Sequence, residues 1–79
     1  MQLPVIKSLA ETYTLQQLQA AENALYEEQK PEILIEGKDE GEQLTHVLAA
    51  IAILEEVAKG VELRMAIRNY TQRVRNSIS

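Results

Sequence analysis

The stretch from Leu44 to Val57 constrains this chain more than any other. Projected as a helix at about 100° per residue, its large aliphatics Leu44, Val47, Leu48, Ile51, Ile53, Leu54 and Val57 spread over roughly 220°, against about 100° for a helix lying on a protein surface. Such a helix has to be covered from two sides. Only 79 residues are available to do it, and a domain of this size buries only about 60% of its unfolded surface. Cysteine is absent, so disulfides, thiolate metal sites and thiol nucleophiles are excluded together. The simplest second cover is therefore another copy of the chain. Leu48, Ile53 and Val57 are the candidate self-association residues, with Ala49, Ala50 and Ala52 permitting close helix approach. The competing cover is internal: Ile33 to Ile35 together with the first helix.

Three further helices follow from periodicity. The first runs from Pro4, a residue suited to an opening helical turn, to Thr12, with Val5, Ile6, Leu9 and Ala10 on one face. The second begins at Leu15, because Thr14 and Gln17 have the spacing of a capping box. It is expected to reach Gln29, since Pro31 pushes Lys30 out of the helical region. The apolar helix itself is expected from Asp39 or Glu40 to Lys59, its acids meeting the positive end of the helix dipole. Gly60 suits a C-terminal residue with positive φ, and the last helix runs from Val61 or Glu62 to Ser77. Its stripe Leu63, Ile67, Tyr70, Val74 and Ile78 predicts one buried face and a wet remainder. Lys30 to Gly41 is a connection, and Ile33 to Ile35 within it either lid the core or pair as a short strand with a symmetry mate.

These elements predict one all-α domain over residues 1–79. It is a small bundle of four helices, two short ones followed by a long helical hairpin, completed by dimerisation into a homodimer. The apolar run Leu3 to Ile6 stops at Lys7, too short for an export signal. The run Val47 to Leu54 is too short for a membrane span of about 20 residues. A cytoplasmic protein without membrane contact is the expectation.

Motifs that carry chemistry are missing. His46 is the one histidine and lies four residues after Glu42, but Gln43 stands where a di-iron bundle would place its Glu-x-x-His acid. The pair reads as a helix-surface or helix-packing feature and not as a metal site. Serines occur at 8, 77 and 79 without a glycine-flanked elbow, and there is no glycine-rich phosphate loop. The protein is expected to be no enzyme and to need no cofactor.

Charge is divided unevenly. Residues 1–59 carry four Lys and eleven acids, net −7, whereas residues 60–79 carry four Arg and one Glu, net +3. Arg64, Arg68 and Arg75 fall within about 40° of one another in projection and form a basic stripe. They are the candidate patch for an anion, a nucleic acid or a protein partner. Lys59, Gly60 and Val61 have the look of a helix-turn-helix turn, but Glu56 occupies the position where that turn wants a small residue. An acidic protein is moreover repelled by phosphate. Nucleic acid is therefore secondary to a non-enzymatic interaction or scaffold role with an unknown protein partner.

The opening LPVIK, the middle DEGEQLTHVLAA and the ending YTQRVRNSI resemble a family of short uncharacterised bacterial proteins of unknown function, over nearly the whole chain. The resemblance implies no catalytic residue. It does imply a neighbourhood, since similar proteins are often encoded near thioredoxin and peroxiredoxin genes. A chain without cysteine could act there only as an accessory.

Overall fold

The computed structural model describes residues 2–78, the side chains of 77 and 78 excepted, so Ile78 of the last stripe lies outside the described side chains. Four helices follow in order: α1 Leu3–Thr12, α2 Leu15–Tyr26, α3 Glu40–Ala58 and α4 Leu63–Ile78. Among the described residues there is no strand. The all-α bundle with a long C-terminal hairpin is the observed architecture, and α1, α2 and α4 all pack on α3.

Local chemistry fixes the helix ends. Thr14 closes the expected box: the Gln17 amide donates to its hydroxyl at 3.2 Å, and its own amide donates to the Gln17 side chain at 2.8 Å. Asp39 caps α3 by accepting from the Glu42 amide at 2.8 Å. α2 and α3 end in the same motif, in which the residue two beyond the last-bonded cap donates back to the third-last helical carbonyl. After α3, Val61 N–H donates to the Glu56 carbonyl and Gly60 N–H to that of Val57, with Gly60 at φ 103°. After α2, Gln29 N–H donates to Ala24 and Glu28 N–H to Leu25. Here Glu28 takes the left-handed position at φ 57°. α2 therefore stops at Tyr26 rather than running to Gln29.

Most of the wide apolar arc of α3 is covered inside one chain. Its buried positions His46, Val47, Ala49, Ala50, Ile51 and Ile53 span about 200° in projection. The core they enter is built from Val5, Ile6, Leu9 and Ala10 of α1, Leu18, Ala21 and Leu25 of α2, and Ala66 of α4. This corrects the reading of Ile53 as a self-association residue. At 1% exposed it is a core residue of the single chain. Val57 is half-buried against the same core. Of the three, only Leu48 faces solvent to a large degree, at 40%.

The connection after α2 lids the core without forming a strand. Ile35 is buried and Ile33 half-buried, while Leu34 points out at 79% exposed. Gly37 allows the loop to pass close over α3: a Cβ there would stand 2.8 Å from the Gln43 side chain and 2.9 Å from its backbone nitrogen. His46, fully buried, ties this loop down. Its Nε2 accepts from the Gln2 amide at 3.1 Å and its Nδ1 lies 2.8 Å from the Glu36 carbonyl. These partners require a neutral ring with the proton on Nδ1, donated to Glu36. One side chain thus joins the start of α1, the loop and α3.

Candidate interaction groove

α4 departs from its expected role as a sealed outer helix. Among its described side chains only Ala66 is buried, and Leu63, Ile67, Tyr70 and Val74 of the stripe are half-buried. The reason is geometric, because α1 and α4 each rest on α3 and leave a trough between them. Its apolar end is a depression of about 360 Å³ lined by Leu3, Ile6 and Lys7 of α1 and by Ile67, Tyr70 and Thr71 of α4, with Ile53 as floor. Leu3 stands on its rim at 39% exposed. A wider end of about 750 Å³ continues past Lys7 and Ile67, which line both, toward Glu11, Glu62 and Met65. Met65 is 50% exposed.

Two residues of the predicted basic stripe border this trough. Arg64 and Arg68 line its wide end, and both, like Arg75, are exposed. At the wide end they share the wall with Glu11 and Glu62, whereas at the apolar end Lys7 is the charged lining residue. Arg73, off the stripe, bonds Glu56 across the α3/α4 hairpin at 3.5 Å, a partly exposed pair that contributes little to stability.

Leu48 lines neither end of the trough, whereas Ile53 of the same candidate set floors its apolar end. His46 does not meet Glu42, whose carboxylate accepts instead from the Lys38 amide at 3.3 Å. Among the described residues, no three His, Asp or Glu side chains gather where they could hold a metal ion. No helix of the described residues is long and apolar enough to cross a membrane.

Sequence reasoning did not find Leu3, Lys7 or Met65 as groove residues. The only signal was α4 itself, whose apolar stripe and basic stripe stand side by side. No curated protein and no solved structure matches the chain. The sequence model of a family of unknown function matches residues 1–79.

Proposed function

The chain belongs to that family of unknown function, DUF6952, and from its surface we propose that it is a non-enzymatic interaction protein that binds another polypeptide in the trough between α1 and α4. The carrying observation is the half-open stripe Leu63, Ile67, Tyr70 and Val74. A helix whose apolar face is left partly in water forgoes about 25 cal/mol for each Å² uncovered. A partner helix laid in the trough recovers it, in the manner of helix-in-groove recognition. Small-molecule chemistry is less well served, since the depression is shallow and open and has few converging polar groups.

Photo-crosslinking in the producing cell tests this reading. A photoreactive side chain in place of Met65 should yield an adduct with a second polypeptide, and the same group in place of Gln19, on the exposed face of α2, should not. Equal adducts from both positions, or none from Met65, would remove the trough as an interaction site.

A further inference from the structure

Resting on that reading, we propose that the occupant of the trough is an acidic amphipathic helix of a different protein, about three turns long. Length follows from the stripe. Leu63 to Val74 covers about 16 Å of helix axis, which an incoming helix matches with apolar side chains at i, i+3 or i+4, and i+7. Sign follows from the rim. Lys7 lines both ends of the trough, and Arg64 and Arg68 line its wide end. Carboxylates flanking the apolar face of the guest meet these cations, while Glu11 and Glu62 are confined to the wide end.

The same charges argue against a second copy as occupant. Two chains meeting stripe to stripe would bring the arginines of one α4 beside those of the other, and α4 with its preceding turn carries a single acid, Glu62, against four Arg. Like charges so placed are destabilising. A copy offering a different face would make a head-to-tail contact, which closes into a ring only for special rotations and otherwise yields filaments.

Two synthetic peptides decide the matter. Both carry Leu at positions 1, 4, 8 and 11 of a twelve-residue helix; one has Glu at the flanking positions and the other Lys. In titration calorimetry at about 50 mM salt the Glu peptide should bind at least about tenfold tighter than the Lys peptide. The gap should shrink at about 500 mM salt, and the amide resonances that move should be those of residues 3–7 and 63–71. Arg64→Glu with Arg68→Glu, both exposed and expected to leave the circular dichroism unchanged, should reverse the preference. Equal binding of the two peptides would overturn the acidic occupant while leaving the trough as a docking site. Preference for the Lys peptide would overturn the charge argument outright. Failure of both to bind at about 1 mM, or a Met65 adduct at twice the chain mass, would overturn an acidic helix of another protein as the guest.

Discussion

His46 shows how much a single residue can do without leaving a sequence signature. Its partners are two backbone groups, the Gln2 amide and the Glu36 carbonyl, which any residue supplies, so the sequence offered only the spacing to Glu42. Replacing it by Leu keeps the volume apolar but takes the partner from two part-buried backbone groups, the Gln2 amide and the Glu36 carbonyl. His46→Leu should lower stability by about 2–4 kcal/mol in urea titration, enough to leave a domain of this size largely unfolded. A loss under about 0.5 kcal/mol would mean that the two groups find other partners. Glu28 carries the opposite lesson. It occupies a left-handed turn position, φ 57°, that its counterpart Gly60 fills without a Cβ penalty. Glu28→Gly should therefore raise stability by about 0.5–1 kcal/mol, read as a higher urea midpoint with unchanged slope. A lowered midpoint would contradict this account of the turn.

At the scale of elements, the parts of the fold set by local chemistry were legible. The Thr14 box, the Asp39 start and the Gly60 stop rest on neighbours within five residues, and the helices begin and end close to where those signals place them. The end of α2 was misread because Pro31 marks only the latest point a helix can reach. Glu28 closes the helix earlier through a backbone motif that does not need glycine. The wide arc of α3 was read correctly as needing two covers, but periodicity does not say whose side chains provide them. α1 and α2 do so, which is why Ile53 became a core residue. The half-open state of α4 was invisible for a related reason: a narrow apolar stripe looks the same whether its groove is filled by the chain or by a guest.

For the whole molecule, the division of charge and the arrangement of helices lead to one picture. α3 is a spine covered by α1, α2, α4 and the Ile35 lid, and the trough beside the basic α4 holds two of the exposed large apolar side chains, Leu3 and Met65, while Tyr26, Leu34 and Leu48 are exposed elsewhere. Because the chain has no cysteine, single cysteines report each surface cleanly. The most direct test is the maleimide labelling rate of Ile53→Cys, Leu48→Cys and Met65→Cys at several protein concentrations. The account predicts fast labelling of Leu48→Cys and Met65→Cys at every concentration, and labelling of Ile53→Cys at least about 100-fold slower, because it must await opening of the core. Ile53→Cys reacting as fast as Met65→Cys, or Leu48→Cys becoming protected as concentration rises, would contradict it and return α3 to the centre of a symmetric dimer.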